Sequence, residues 1–358
     1  MIMDFKTLLD KQDFDIEDIV RLLDCNPAEE ALLFAKADEV RLANVGNGVY
    51  GRALIELTNY CKKDCYYCGI RKSNKSVERY MLDFEQVKYA IHLASDSGIG
   101  SMAIQSGELS SPEFTDFVIR ILNYAKSIDP NLGITLSCGE QSPETYKKWF
   151  DAGAERYLLR IEVSDEETYY NFHPNNELHS FQNRLSCLQS IRDAGFQTGT
   201  GVMIGLPGQT VESLAKDVVF MRDFNIHMCG MGPFIPCNGT PMENAKSPFE
   251  DLVGMSLRMI AVMRIVMKDI NIVASTAMET IHPQGRSRAI QAGANVVMPN
   301  VNPLEHRKKY KLYEKIPTGI IDSVDSLINA AYAPIPEGYH LILNQKGTAP
   351  HYLKEHLI

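Results

Sequence analysis

Eight short apolar runs, spaced along one chain with amphipathic stretches between them, leave few folds open. The runs are residues 53–58, 102–106, 133–137, 156–163, 199–204, 228–234, 272–276 and 295–298. Each suits a strand buried on both faces. Helical signals fill the gaps. Ser111-Pro112-Glu113 and Ser142-Pro143-Glu144 set a capping serine before Pro, and Asp83 has Gln86 three residues on, a capping-box spacing. The helices stop in a repeated way, at Ser97-Gly98, Ala152-Gly153, Ala194-Gly195 and Ala292-Gly293. Glycine just past a helix end supplies the left-handed position that closes it. Eight βα units in about 250 residues predict an α/β fold, a complete (β/α)8 TIM-type barrel with its sites where strands end and loops begin. An open doubly wound sheet is the alternative.

The flanks read differently. Residues 1–49 look helical, with Asp4, Asp13 and Asn26 as caps and Pro27 at a first helical position. Residues 316–358 carry Pro317, Pro334, Pro336 and Pro350 and few periodic runs, so they wrap the barrel. The expected organisation is an N-terminal helical segment over 1–50, a barrel over 51–315 and a C-terminal extension over 316–358 packed on it. With 45% hydrophobic and 23% charged residues, the chain is neither disordered, collagen-like nor coiled-coil. Its 36 basic and 45 acidic residues give a net charge of −9, which argues against broad binding to nucleic acid or anionic membranes. No run reaches the roughly 18 apolar residues of a membrane span. The first ten residues have acids and no apolar core, so no signal peptide is read and the expected location is the cytoplasm.

Three of the eight cysteines, Cys61, Cys65 and Cys68, form CxxxCxxC directly after the first run. Disulfide scaffolds are short and cysteine-dense, and this chain is neither. Three thiolates on one loop can hold three irons of a [4Fe–4S] cube, which leaves one iron open to an outside ligand. A structural zinc would want a fourth ligand and usually a second CxxC pair. A redox pair would need only CxxC, in a different context.

This spacing, on the loop after the first barrel strand, resembles the radical S-adenosylmethionine (SAM) superfamily. The resemblance implies that the methionyl amine and carboxylate of SAM chelate the open iron. One-electron reduction then cleaves the sulfonium to a 5′-deoxyadenosyl radical. Cys61, Cys65 and Cys68 are the implied metal ligands and catalytic centre. Ser106-Gly107-Glu108 looks like the superfamily's GGE motif, with Gly107 and Glu108 at the methionyl amine. Arg160 and Glu162 end the fourth strand, where Arg can fork onto a carboxylate and Glu can accept from ribose hydroxyls. Tyr67 suits stacking on adenine. Residues 199–206 resemble the adenine-side GxIxGxxE region without its final Glu, since Gln209-Thr210 follow. Each of these has a plainer reading: a turn for Gly107, an ion pair for Arg160 and Glu162, a core aromatic for Tyr67.

The likeness extends over about residues 50–315 and is greatest to the HydE family of [FeFe]-hydrogenase maturases, in the group with biotin synthase and methylornithine synthase. It rests on 65–71 (CYYCGIR), 105–108 (QSGE), 135–140 (TLSCGE), 156–162 (RYLLRIE), 181–185 (FQNRL), 205–210 (GLPGQT), 232–236 (GPFIP), 276–278 (TAM) and 293–300 (GANVVMPN). It implies that Arg160, Glu162 and Arg184 surround SAM. It further implies that Arg52, Gln105, Thr135, Arg156, Ser275, Thr276, Met298, Tyr310 and Tyr313 line the barrel cavity. Such a set suits a small anionic guest; the plainer reading pairs the arginines with acids such as Glu56. HydE-type chemistry implies radical attack at a sulfur of a small organometallic substrate, with an electron donor such as ferredoxin or flavodoxin and other maturases as partners. A HydE-like paralogue outside hydrogenase maturation, a methylornithine-synthase-like mutase and a non-catalytic Fe–S carrier or scaffold are the alternatives.

Some positions depart from HydE. No Cys follows Cys237, so no second cluster of the C-terminal kind is expected. Ile161 stands where HydE tends to have His, His306 where Tyr is expected, and Ser275 replaces Thr. Cys237 and Cys138 read either as buried apolar residues or as thiols facing the cavity. Cys25, Cys187 and Cys229 read as core, and His173 and His227 as structural residues. Asp165-Glu166-Glu167 reads as a helix N-terminus.

Overall fold

The computed structural model describes residues 4–313 and 320–356. Twelve short strands lie among the described residues. β1 is Gly48–Gly51, β2 Ala53–Thr58, β3 Ser101–Ser106, β4 Gly133–Ser137, β5 Arg156–Leu158 and β6 Gln197–Thr200. β7 is Met203–Ile204, β8 Met228–Cys229, β9 Gly232–Pro233, β10 Asn271–Ile272, β11 Val296–Val297 and β12 His340–Ile342. Seven form one parallel sheet in the order β10-β8-β6-β5-β4-β3-β2. β11 then bridges its two edges. Ala274 N donates to Val296 O at 2.8 Å and Asn295 N to Ile272 O at 2.9 Å on one side; Arg52 N donates to Val297 O at 2.9 Å and Leu54 N to Pro299 O at 2.8 Å on the other. The hydrogen-bonded circuit is thereby closed, as the eight apolar runs predict.

The helix signals behave as their chemistry dictates. Ser111 and Ser142 each accept from the backbone N–H three residues on, and Asp83 and Gln86 make the full capping box. Gly98, Gly153, Gly195 and Gly293 all take positive φ. Two caps differ from expectation, and the first is Asp4, which stands at the N-cap of the helix Phe5–Leu9 but makes no side-chain hydrogen bond there. Asp15, not Asp13, caps the helix Ile16–Leu23, because Asp15 can reciprocate with Asp18 in a capping box. The helix Pro27–Val45 starts at Asn26 as expected, but the helical reading of 1–49 ends early. Gly48 and Val49 belong to β1, which pairs with β11 on one side and β12 on the other. The fully buried Arg41 ties this helix to the barrel through Ala294 O, Gly46 O and Gly48 O at 2.7–3.1 Å.

Register fixes which side chains enter the barrel. Thr135 pairs with Arg156 and Leu136 with Tyr157. Tyr157 packs outward on the helical layer, against Trp149 at 6.3 Å and Phe196 at 5.6 Å. Neighbouring residues on a strand face opposite ways, so Arg156 points inward. Residues 320–356 are more regular than their prolines suggest, with helices Val324–Tyr332 and Pro350–His356 around β12. They lie across the end of the barrel where strands begin. Lys346 O accepts from Arg156 Nη1 at 3.0 Å, Gly347 O from Asn271 Nδ2 at 2.8 Å, and Gln197 Oε1 from Ala349 N at 3.0 Å. Among the described residues no helix is long and apolar enough to cross a membrane.

Candidate active site

The loop after β2 carries Cys61, Cys65 and Cys68, all half-buried and outside any disulfide. Its backbone is pinned from several elements. Lys62 N donates to Glu108 O at 2.9 Å, Tyr66 N to Phe172 O at 2.9 Å, Gly69 N to Leu312 O at 3.0 Å and Asp64 N to His179 Nε2 at 2.8 Å. Burial pushes the Cys65 thiol up to about 12, and raises Cys61 and Cys68 as well. The trio is therefore protonated at neutral pH, and metal binding must release those protons. Among the described residues no three His, Cys, Asp or Glu side chains converge closely enough to chelate a single ion. A cube of four irons is wider than an ion and takes thiolates that stand further apart.

Gly107 and Glu108 follow β3 beside this loop. A Cβ on Gly107 would stand 2.2 Å from Tyr60 O, so only glycine lets the two loops touch. Cys61 Sγ accepts from Glu108 N at 3.3 Å. The Glu108 carboxyl is buried, and burial raises it despite Lys63. Its Oε2 accepts from Glu140 N at 2.9 Å. Its Oε1 has Lys63 Nζ at 3.4 Å and Lys62 Nζ at 3.5 Å but no aligned hydrogen bond.

Glu140 is the hub of this polar knot, and sequence reasoning gave it no role. It is only 5% exposed. It accepts from Lys63 Nζ at 2.9 Å, Arg184 Nε at 2.6 Å and Asn183 Nδ2 at 2.6 Å. Burial pushes its carboxyl up, but Arg184 and Lys63 outweigh that and hold it below the usual range. The quoted 135–140 stretch contains Glu140; its one available signal was an acid at a strand end beside a lysine-rich loop. Arg184 is thereby fixed, with Nη1 donating to Arg160 O at 2.6 Å. A cleft of about 580 Å³, lined in part by Lys62, Glu108, Glu140 and Asn183, opens alongside.

Arg160 and Glu162 leave β5 together. Arg160 Nη2 donates to Val202 O at 2.7 Å and lies 3.0 Å from Glu162 Oε2. That pair lacks hydrogen-bond alignment at Glu162, whose Oε2 remains an orphan, as does Arg160 Nε. Glu162 has φ of 69°, in the left-handed region that costs a non-glycine residue about 1 kcal/mol or more. Burial raises its carboxyl against the pull of Arg160 and Arg184. Tyr67 is fixed by its hydroxyl on His173 Nε2 at 3.0 Å, while His173 Nδ1 meets Tyr169 O at 2.9 Å. Burial holds His173 down to about 3, so it is a neutral structural residue, as expected. Where the adenine-side Glu is missing, Gln209 locks the loop. Its Oε1 accepts from Gly205 N at 2.6 Å and Leu206 N at 2.9 Å.

The remaining candidates divide by height. Gln105 is at the end of β3, while Ser275, Thr276 and Met298 follow β10 and β11. The buried Ser275 hydroxyl caps no helix and has no hydrogen-bond partner. Tyr310 is buried and Tyr313 half-buried, and burial raises both phenols. Arg52, Thr135 and Arg156 sit at the floor, at the opposite end from the cysteines. Arg156 donates to Thr135 Oγ1, Ser101 Oγ and Lys346 O at 2.7–3.0 Å. Arg52 donates to Met228 Sδ at 3.3 Å and Gly347 O at 3.5 Å, and its buried Nε has no partner. Neither arginine forms an ion pair with an acid among the described residues, so the pairing with Glu56 is not formed. Burial lowers Arg156 to about 10, and burial with Arg156 nearby lowers Arg52. Cys138, Cys187, Cys229 and Cys25 are buried as core residues. His306 is buried against Tyr80, ring centroids 4.8 Å apart.

Comparison with known proteins places this geometry. Residues 55–221 match the model of the Radical SAM superfamily. The chain is 41% identical over 308 residues to the [FeFe] hydrogenase maturase subunit HydE of Thermotoga maritima, covering 85% of each chain. It is 28% identical over 301 residues to 3-methylornithine synthase of Methanosarcina acetivorans, covering 82% and 83%. The crystal structure of methylornithine synthase superposes with a TM-score of 0.78 at 21% identity, over 99% of both chains, a likeness of fold. The superfamily's cofactors are a [4Fe–4S] cluster and SAM. The site suits them: three thiols on one loop, and beside it buried orphan atoms on Glu108, Arg160 and Glu162 that ask for a polar ligand. The chain is a radical SAM enzyme and belongs, within that superfamily, to the family of HydE.

Proposed function

We propose that the chain carries out HydE-type chemistry on a small anionic, sulfur-containing substrate held in its barrel. The observation that carries this reading is a three-thiol loop at one mouth of the barrel facing two inward arginines at its floor, in a chain 41% identical to HydE. The catalytic barrel runs from β1 to residue 313, with the helices of residues 4–45 and the segment 320–356 packed on it, and the expected boundary at 315/316 lies outside the described residues. Cys61, Cys65 and Cys68 hold three irons. When bound, the cluster and SAM together supply a 5′-deoxyadenosyl radical after one-electron reduction. Gly107 lets the Glu108 loop approach the cysteines, and Glu108 Oε1 accepts from the methionyl amine. Arg184, fixed by Glu140, and Arg160 with Glu162 hold the carboxylate and ribose. Tyr67, immobilised by His173, supports the adenine.

Deeper in the barrel, Arg52 and Arg156 supply positive charge with no carboxylate in ion-pair contact among the described residues, Glu155 acting on Arg156 only from a distance, with hydroxyl and amide groups from Thr135, Gln105 and Ser275. Thr276, Met298, Tyr310 and Tyr313 complete the walls. A cavity with such a floor draws an anion past the radical source rather than leaving it in solvent. A low-potential donor such as ferredoxin or flavodoxin supplies the electron, in the cytoplasm, and other maturases hand over or receive the small organometallic substrate. The methylornithine-synthase relatives suggest a second reading, an amino-acid mutase. A mutase regenerates SAM, whereas attack on sulfur consumes it.

The test is anaerobic EPR of the reconstituted, reduced protein with and without SAM, together with a 5′-deoxyadenosine assay. We expect a [4Fe–4S]+ signal that shifts on adding SAM, product formation, and loss of both in Cys65→Ala. A signal indifferent to SAM would make the protein an Fe–S carrier, and cleavage retained by Cys65→Ala would sink the cluster assignment.

A further inference from the structure

We infer that the outer surface of the cysteine loop, together with the segment at 303–313, docks an acidic low-potential electron-transfer protein. The inference rests on the radical SAM reading above and adds the surface through which the electron arrives. The chain is acidic overall, with a net charge of −9. Residues 59–80 and 303–313 run the other way, with ten basic residues against three acids.

The two segments are one surface. Gly69 N, next to Cys68, donates to Leu312 O at 3.0 Å, and Asn59 Nδ2 donates to both Glu78 O and Lys309 O at 2.8 Å. Two of the three acids are already engaged, Asp64 by Arg71 at 2.8 Å and Glu78 by Lys309 at 2.6 Å, while the exposed Glu305 approaches His306 at 3.4 Å without a hydrogen bond. Glu243 approaches the rim, where its Oε2 accepts from Gly239 N. Lys72, Lys75, Lys308 and Lys311 remain exposed. None of these four ion-pairs with a carboxylate among the described residues. Exposed lysines elsewhere behave both ways: Lys147 pairs with Asp151 and Lys216 with Glu212, while Lys6, Lys148 and Lys246 pair with no acid among the described residues, so it is the clustering of these four that sets the patch apart. A local run of uncompensated positive charge on an acidic protein attracts an acidic partner and repels little of it, because the acidic remainder lies elsewhere.

Position gives the patch its purpose. Lys72 N donates to Lys63 O at 2.8 Å, and Lys63 lies between Cys61 and Cys65. Lys311 O is the acceptor for Cys237 Sγ at 4.0 Å, and a Cβ on Gly69 would lie 2.0 Å from that same Lys311 O. A partner held by these lysines therefore rests against the backbone that carries the thiols. In the step served, one electron leaves the partner's low-potential centre and converts [4Fe–4S]2+ to [4Fe–4S]+. The partner is oxidised by one electron, and no bond is made or broken.

The test compares wild type with the triple variant Lys72→Glu, Lys75→Glu, Lys311→Glu, each with its cluster reconstituted and its iron content and circular dichroism matched. Stopped-flow absorbance follows cluster reduction by an acidic ferredoxin, photoreduced beforehand, at low and high ionic strength. A parallel arm uses photoreduced 5-deazaflavin, a small neutral donor. The variant should be slowed roughly tenfold or more with ferredoxin at low salt and unchanged with deazaflavin. Added salt should slow the wild type and leave the variant nearly flat. Equal ferredoxin rates and equal salt dependence in the two proteins would overturn the docking surface. Failure of deazaflavin to reduce a cluster in the wild type would instead overturn the radical SAM reading, and the docking surface with it.

Discussion

Glu140→Gln isolates the polar knot behind the cysteine loop. The wild-type carboxylate is buried and takes Lys63, Asn183 and Arg184 at 2.6–2.9 Å. Gln keeps one acceptor oxygen and turns the other position into an NH2 that faces an ammonium or a guanidinium. Removing one partner of a buried ion pair costs about 3–5 kcal/mol, since the other charge stays buried. The amide oxygen recovers part of this and the cleft beside Lys62 admits water, so a loss near about 3 kcal/mol is expected. The assay is urea unfolding of the two chains, read as a shift in midpoint at unchanged slope. The pH dependence gives an independent check. Because the cations hold Glu140 below the ordinary 4.5, its contribution is present above that value and fades as pH falls toward the folded-state value. The gap between the two proteins should therefore narrow in acid. A difference under about 0.5 kcal/mol at neutral pH, the range of an ordinary surface change, would refute the hub assignment. So would a gap that widens on acidification.

Two further outcomes follow from the same geometry. Arg156→Ala should retain slow, uncoupled SAM cleavage and lose its response to substrate, measured as 5′-deoxyadenosine formed with and without it; a wild-type response would remove Arg156 from the cavity. Asp217, whose Oδ1 accepts from Ser164 N at 2.7 Å, is raised by burial to about 7. A carboxyl raised from 3.8 favours folding below that value and loses this advantage as pH climbs toward 7, at most about 4 kcal/mol. Asp217→Asn should thus be the more stable protein at pH 8 and lose its advantage at pH 4, by thermal unfolding; equal curves would contradict the burial argument.

The barrel was legible because its signals are local and repeated. Apolar runs of strand length, serine caps before proline and glycine after four of the helices all act within a few residues, and strand and helix obey them. The cysteine loop was legible for the same reason, as a spacing within eight residues. The floor was not. Whether Arg156 faces inward depends on register with β4 and β6, and its partner Lys346 lies 190 residues away. The hub at Glu140 was equally opaque, since its partners come from the distant cysteine loop and from the helix Phe181–Asp193. The missed strand β1 has only four residues, two of them glycine, and owes its form to β11 and β12 rather than to its own propensity.

The contacts beneath Arg52 and Arg156 carry a consequence for biogenesis. β1 cannot acquire its outer neighbour, nor the two arginines their carbonyl partners, until residues 340–349 have left the ribosome. Contacts of such sequence separation form slowly and leave a partly built sheet exposed meanwhile. During synthesis the thiol-bearing mouth can assemble while the basic floor still stands open to solvent. The nascent chain is then an unplugged ring, able to attract cellular polyanions to a place that the mature protein seals, and a chaperone that shields that end would have its work set by these few backbone carbonyls.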